Sequence, residues 1–219
     1  MNTKSYKTEI SVFEAFAGYG SQQLALSILS RRYPWLKFSY VGISEIDKWA
    51  IKAYQKLYGT KIKNYGDISK IEWGKVSDFM LFTYSFPCQD ITNSGNKTGF
   101  EEGSGTRSSL LWECKKAIIA KRPKYLLMEN VKNIKSPKFE KDLEKWKGFL
   151  KNLGYNNYEK VLDARDFGIP QHRERFFLVS IMGNQEFEFP RGMKLNLKPD
   201  ELLDKNVANK FYIEFNQAA

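Results

Sequence analysis

Between Glu9 and Ile181 the chain repeatedly sets a short β-prone run before a longer segment whose apolar residues recur at helical spacing. Residues 10–16 (ISVFEAF) read as a first strand, residues 17–21 as a tight glycine turn, and residues 22–29 as the helix it opens. Residues 37–44 (KFSYVGIS) read as a second strand, with a helix over 47–58. Further strands are expected at 78–84, 125–128, 157–162 and 176–181, and helices near 108–120 and 139–153. Helices between successive strands imply parallel pairing, so the pattern predicts an α/β domain with a doubly wound, mostly parallel, Rossmann-like sheet. An antiparallel pair is expected near 176–181. After Ile181 the period is lost. Isolated Phe, Leu and Tyr residues stand among turn signals such as Phe189-Pro190-Arg191-Gly192, with one short helix near 200–204. The expected division is therefore a domain over 1–182 and a tail or linker over 183–219.

Composition narrows this picture. A chain of 219 residues with 42% hydrophobic content has enough material for one core, which excludes disorder throughout. Lys and Arg number 35 against 25 Asp and Glu, a formal charge of +10 that suits a polyanionic partner such as nucleic acid. Two cysteines, Cys88 and Cys114, and one histidine, His172, cannot build a disulfide framework or a Cys/His zinc cluster, so a reducing, cytoplasmic compartment fits best. The polar start and the lack of any run of roughly 20 apolar residues argue against a membrane segment.

Several residues at the expected strand ends could carry chemistry. Gly18 and Gly20 lie between a strand and a helix, where a missing Cβ lets the backbone approach a ligand, although a simple structural turn reads equally from the residues. Glu45 and Asp47 follow the second strand at the distance of an acid that holds ribose hydroxyls. Asp67 can cap a short helix or reach an amino group on a base. Cys88, in Phe86-Pro87-Cys88-Gln89, ends a strongly apolar run, which suits a nucleophile as well as a bystander thiol. Cys114 sits among apolar helix neighbours and reads as core. Glu129 ends the next apolar strand, where it can serve as a proton donor or as a helix cap. Arg173 and Arg175 stand two apart before an apolar strand and suit phosphate or base oxygens, or a solvated rim with Glu174 as counter-charge. His172 receives no catalytic role.

Taken in order, these blocks resemble the cytosine-C5 DNA methyltransferases. Residues 13–20 (FEAFAGYG) look like the family's first cofactor motif, residues 44–47 (SEID) its second and residues 66–68 (GDI) its third. Residues 85–89 (SFPCQ) are similar to the catalytic loop, residues 129–131 (ENV) to the Glu-Asn-Val block, and residues 171–175 (QHRER) to the Gln-x-Arg-x-Arg block. The resemblance implies S-adenosylmethionine as cofactor and a cytosine flipped out of duplex DNA as substrate. By it, Phe16, Gly18, Gly20, Glu45, Ile46, Asp67, Ile68 and Pro87 would line the cofactor, with Glu45 on its ribose, Ile46 on its adenine and Asp67 on the amino group. The family usually has an aromatic residue where Ile46 stands, which implies weaker stacking.

The same resemblance makes Cys88 the nucleophile at cytosine C6, Glu129 the proton donor at N3 and Arg175 the holder of O2, with Arg173 of the same block counted as catalytic beside them. Gln89, Asn130 and Gln171 would contact the substrate. Residues 93–107, with Gly95, Gly99, Gly103 and Gly105, match the loop that closes over the flipped base. Family members continue with a DNA-reading domain and a final Gly-Asn block that this chain does not match. The expectation is therefore one part of a split enzyme of DNA methylation or restriction-modification, nucleoid-associated and completed by a second polypeptide that carries the recognition domain. The competing expectation is a truncated, inactive member that binds DNA without sequence preference.

Overall fold

A computed structural model of the protein describes residues 8–89, 91, 100–193, 197, 199–208 and 211. Its strands are β1 (Thr8–Ala15), β2 (Leu36–Ser44), β3 (Leu81–Tyr84), β4 (Tyr125–Val131), β5 (Tyr155–Asp163) and β6 (Glu174–Met182). The helices are α1 (Ser21–Arg32), α2 (Lys48–Tyr58), α3 (Leu111–Lys121) and α4 (Glu140–Asn152). The strands form one sheet in the order β2-β1-β3-β4-β6-β5. β2, β1, β3 and β4 are parallel neighbours, and β6 runs antiparallel to β4, as the sequence pattern anticipates. The chain leaves β1 toward one side for β2 and returns on the other for β3. In such a doubly wound sheet, ligands gather beyond the strands' carboxyl ends at this switch.

The central strands owe their place to burial on both faces. Val12, Phe13, Glu14 and Ala15 on β1 are all buried, as are Phe82, Thr83 and Tyr84 on β3. Successive residues point to opposite faces, so these runs need cover from both sides. On one face, the Phe13 ring meets Trp73, Phe79 and Phe82, and the aromatic cluster continues through Tyr84 and Trp146 to Trp112 of α3. On the other face, Glu14 meets Tyr54 of α2. Asp47 fixes the start of α2, because its carboxylate accepts the backbone N–H groups of Trp49 and Ala50.

The chain divides into two compact units. The first comprises Met1–Leu162 and Glu174–Phe189, and the second Asp163–Arg173 and Pro190–Ala219. In the first, the Phe187 ring packs at 5.7 Å from Tyr158 of β5, so the residues just beyond β6 lie on the sheet's edge. In the second, Asp163 caps a short 3-10 turn, Ala164–Phe167, by accepting from the Arg165 amide. The Met193 amide donates to the Asp166 carbonyl there, and a further short turn spans Pro199–Glu201, near the helix expected at 200–204.

Several elements depart from the sequence pattern in extent, among them α1, which runs on to Arg32, and two strands that frame the site. The third strand starts at Leu81 rather than residue 78, because Phe79 is drawn into the aromatic cluster instead of the ladder. β4 runs on through Glu129 and Asn130 to Val131, because antiparallel β6 supplies it with partners up to Arg175.

Candidate active site

One row of the sheet organises the site. Ser44 pairs with Ala15, Ala15 with Tyr84, and Tyr84 with Met128, so the next residues along each strand emerge side by side at the carboxyl edge. Those residues are Glu45, Phe16, Ser85 and Glu129. Four separate segments of chain thereby deliver an acid, a glycine turn, the cysteine loop and a second acid to one edge.

On the cofactor side the chain turns sharply after β1. Phe16, Gly18 and Gly20 all have positive φ, at 55°, 56° and 87°. A Cβ on Gly20 would lie 2.4 Å from Tyr58 Cε2 and 2.9 Å from Tyr54 Cε2, whereas one on Gly18 would meet nothing within 4 Å. The turn is thus closed against α2 at Gly20 and open at Gly18. Glu45 Oε2 accepts the Gly18 amide at 2.7 Å, and Oε1 accepts the amides of Ile46 and Asp47 at 2.8 Å each. Asn64 braces the same residue: its Oδ1 accepts the Glu45 and Gly66 amides and its Nδ2 donates to the Glu45 carbonyl. Ile46 is 73% exposed and offers a bare apolar surface beside the acid. An immobilised carboxylate, an open glycine and an uncovered apolar side chain fit a nucleoside-bearing cofactor.

Asp67 and Ile68 stand differently. Asp67 Oδ1 accepts the Ser69 amide and hydroxyl, and those bonds hold its carboxyl below the usual carboxylate range. Its capping role is therefore in place, and Oδ2 faces Lys70 at 3.7 Å. Ile68 is buried in the core.

The cysteine loop follows β3. Cys88 is half-buried, and its carbonyl accepts the Ile91 amide at 2.9 Å. Phe86 is buried against Phe100, the Pro87 carbonyl accepts the Ser108 hydroxyl, and Gln89 Oε1 accepts from Arg107. Cys114 is fully buried, and burial raises its thiol pKa well above the ordinary value, in keeping with a core residue. Of the loop expected at 93–107, Gly103 and Gly105 have positive φ, while Gly95 and Gly99 lie outside the described residues.

Glu129 meets Arg175 across the β4–β6 ladder. Arg175 is paired with Val131 and Phe177 with Glu129, so the acid and the arginine are diagonal neighbours on one face, with Arg175 Nε 3.1 Å from Glu129 Oε1. Asn130 points to the opposite, buried face and donates from Nδ2 to the Phe86 carbonyl at 3.0 Å, two residues before Cys88. Gln171 and Arg173 belong to the second unit. There the Arg173 amide donates to Asp163 Oδ1, and Asp163 also pairs with Arg165 and with His172 Nε2 at 3.3 Å. The Arg165 guanidinium holds the Asp163 carboxyl well below the usual range.

Sequence reasoning missed Asn64, whose lysine-rich, turn-like surroundings carry no signal of its double clamp on Glu45. It also missed the bond from Gln22 Nε2 to Ser85 Oγ, which joins the start of α1 to the start of the cysteine loop.

A sheet edge with a nucleoside-type acid beside a glycine turn, a thiol loop and an acid–arginine pair defines a cofactor-dependent group-transfer protein of the Rossmann-like class. The chain belongs to the C-5 cytosine-specific DNA methylase family, whose profile matches residues 10–214. It is 41% identical over 263 aligned residues to the type II methyltransferase M2.ScrFI of Lactococcus lactis subsp. cremoris, covering 96% of this chain and 72% of that protein. It is 32% identical to the orphan methyltransferase M.SssI of Spiroplasma monobiae, covering 92% and 67% respectively. The fold is shared with the Entamoeba histolytica methyltransferase EhMeth, with a TM-score of 0.76 at 20% identity, over 94% of this chain and 63% of that one. The methyl donor of this family is S-adenosylmethionine. Among the described residues no helix is long and apolar enough to cross a membrane.

Proposed function

We propose that this chain methylates C5 of cytosine in duplex DNA through a covalent bond between Cys88 and C6. The observation that carries the proposal is the single sheet row that delivers Glu45, Phe16, Ser85 and Glu129 to one edge, with Glu129 held by Arg175. S-adenosylmethionine supplies an electrophilic methyl group when bound. Glu45 would hold its ribose, with Ile46 against the adenine and Phe16 and Gly18 along the chain of the cofactor.

Cytosine C5 is a poor nucleophile. As the Cys88 thiolate bonds to C6, the C5=C6 electron pair becomes available at C5 and Glu129 gives its proton to N3. C5 would take the methyl group as the donor's sulfur–methyl bond breaks, the C5 proton would leave to a base, and the C6–sulfur bond would break as N3 returns its proton to Glu129, restoring the ring and the thiolate. Arg175 positions Glu129 and holds O2, while Asn130 fixes the loop through the Phe86 carbonyl. Gln89 serves the substrate strand, and Asp67 would meet the adenine amino group through Oδ2.

Reading of the DNA sequence is assigned to a second polypeptide that carries the recognition domain. The experiment is trapping on a duplex containing 5-fluorocytosine, where fluorine blocks loss of the C5 substituent and leaves the thiol attached. The chain, mixed with the product of the adjoining reading frame and cofactor, should form a denaturation-resistant adduct that Cys88→Ala does not form. An adduct that survives Cys88→Ala overturns the mechanism. Sequence-selective methylation by the chain alone overturns the split, and no transfer in any reconstitution favours an inactive member that only binds DNA.

A further inference from the structure

Behind the glycine turn, on the face away from the aromatic core, lies a buried polar cluster that the proposed chemistry does not use. Glu14, the last residue but one of β1, is 1% exposed, and Tyr54 of α2 is also 1% exposed. The Tyr54 hydroxyl donates to Gln23 Oε1 of α1 and lies 3.5 Å from Glu14 Oε2. One turn further along α2, the Tyr58 hydroxyl donates to the Gly20 carbonyl at 2.7 Å. Glu14 Oε1 and the Tyr40 hydroxyl on β2 are buried with no hydrogen-bond partner among the described residues.

The cluster bears directly on the turn's shape. The two tyrosine rings occupy the space where a Gly20 side chain would be, and the Gly20 amide donates to the Ala17 carbonyl at 2.9 Å. The backbone from Phe16 to Gly20 is thus pressed between the cofactor side and α2. The bond from Tyr58 to Gly20 and the chain through Tyr54 to Glu14 hold α2 and α1 against it.

We propose that Glu14, Tyr54 and Tyr58 are positioning residues for the cofactor turn, and that they hold it in its binding shape only while Glu14 carries a proton. The inference rests on the reading of that turn as the cofactor seat. With Glu14 neutral, its hydroxyl can donate to Tyr54 Oη, which passes its own hydrogen to Gln23 Oε1, so in this relay only the second Glu14 oxygen is left without a partner. Once Glu14 ionises, the Tyr54 hydroxyl turns to it and leaves Gln23 Oε1 without that donor, no cationic side chain among the described residues faces the charge, and water or a shift of α2 must complete its solvation. The titratable groups facing it are Tyr54 and Tyr58 from α2 and Tyr40 from β2, each raised by burial first and by the Glu14 charge next. From α1 the backbone amides of Gln22 and Gln23 partly offset the desolvation, which nonetheless pushes the Glu14 carboxyl up to about 8.

The test uses the purified chain and S-adenosylhomocysteine as probe, with affinity measured calorimetrically from pH 6.5 to 9.5 for the native protein, Glu14→Gln and Tyr58→Phe. The amino group of the probe titrates in this range too, equally for all three, so the readout is the ratio of Kd values. At pH 7 Glu14→Gln should bind within about threefold of the native chain. By pH 9.5 the native chain should be at least tenfold weaker than Glu14→Gln. Tyr58→Phe should bind more weakly throughout and keep the native pH slope. Amide exchange at Gly20 without any probe gives the second arm: its protection should fall above pH 8 in the native chain and not in Glu14→Gln. Parallel pH profiles for the native chain and Glu14→Gln in both measurements overturn the proposal. Absence of probe binding at every pH, with the exchange difference present, overturns the cofactor reading and leaves the proton-dependent turn standing.

Discussion

Gln22 Nε2 donates a 2.7 Å hydrogen bond to Ser85 Oγ. It joins the first turn of α1, which follows the cofactor turn, to the residue that opens the cysteine loop. Two segments that meet at the switch between β1 and β3 are therefore mechanically linked as well as adjacent. Gln22→Ala and Ser85→Ala should each lower kcat/KM for methyl transfer by about tenfold, or about 1.4 kcal/mol. The double variant should lose little more than either single one, because both remove the same bond. Fully additive losses would show that the two residues act separately.

Glu45 accepts three backbone amides with its two oxygens. Glu45→Gln keeps the size but leaves one acceptor oxygen and turns the other into a donor facing those amides. Charge-assisted bonds contribute roughly 1.5–3 kcal/mol each, so cofactor affinity should fall by about tenfold to a hundredfold. Calorimetric titration with S-adenosylhomocysteine measures it, and an unchanged Kd would remove Glu45 from the ribose site.

Asn130 is 3% exposed, and its amide is bonded to the Phe86 carbonyl. Asn130→Ala leaves that carbonyl without its donor and should cost about 1–3 kcal/mol of stability, read from the urea midpoint. The rate of adduct formation at Cys88 should fall further than stability accounts for, because the strand that carries the loop loses its anchor.

Arg175 approaches Glu129 through Nε at 3.1 Å and donates from Nη1 to the Glu174 carbonyl. The flat guanidinium serves the two from separate nitrogens in a fixed fork, which the single nitrogen of an ammonium does not reproduce. Arg175→Lys should therefore slow single-turnover methyl transfer by about a hundredfold while DNA retention on a filter changes less than threefold. Equal losses in both would mark Arg175 as a phosphate contact instead.

The Glu14 carboxyl, raised from 4.5 to about 8 in the folded chain, makes stability depend on pH. Between those values the folded protein binds a proton that the unfolded chain has released, so unfolding free energy falls as pH rises, by about 1.4 kcal/mol per unit. The contribution is fully present below pH 4.5 and is lost by the time pH passes 8. Over the whole window the loss is on the order of 5 kcal/mol. Glu14→Gln removes this slope, so its urea midpoint should overtake that of the native chain toward alkaline pH. Midpoints that stay parallel would show that Glu14 titrates like an exposed acid.

Much of the architecture was legible because a strand buried on both faces writes a continuous apolar run, as in residues 79–84, and a helix start writes a capping acid, as at Asp47. The strand-end position of Glu45, Cys88 and Glu129 could be read the same way, since each follows such a run. Arg175 was legible as a residue but not as a partner. Its meeting with Glu129 depends on the antiparallel register of β6 against β4, and no local pattern states which residue of one strand lies diagonal to which residue of another. Glu14 was less legible still. Within FEAFAGYG it reads as one polar position in a strand, and only the packing of α1 and α2 over that face turns it into a buried carboxyl.

The amino-acid sequence by itself thus determined the order of elements, the family and the chemical groups at the strand ends, because these follow from local hydrophobic period and short motifs. The tertiary structure alone decided which groups touch: Glu129 with Arg175, Gln22 with Ser85, and Glu14 with Tyr54. Each of those contacts joins residues far apart in the chain, and their distance is set by sheet register and helix packing, which are properties of the whole core and not of any short stretch within it.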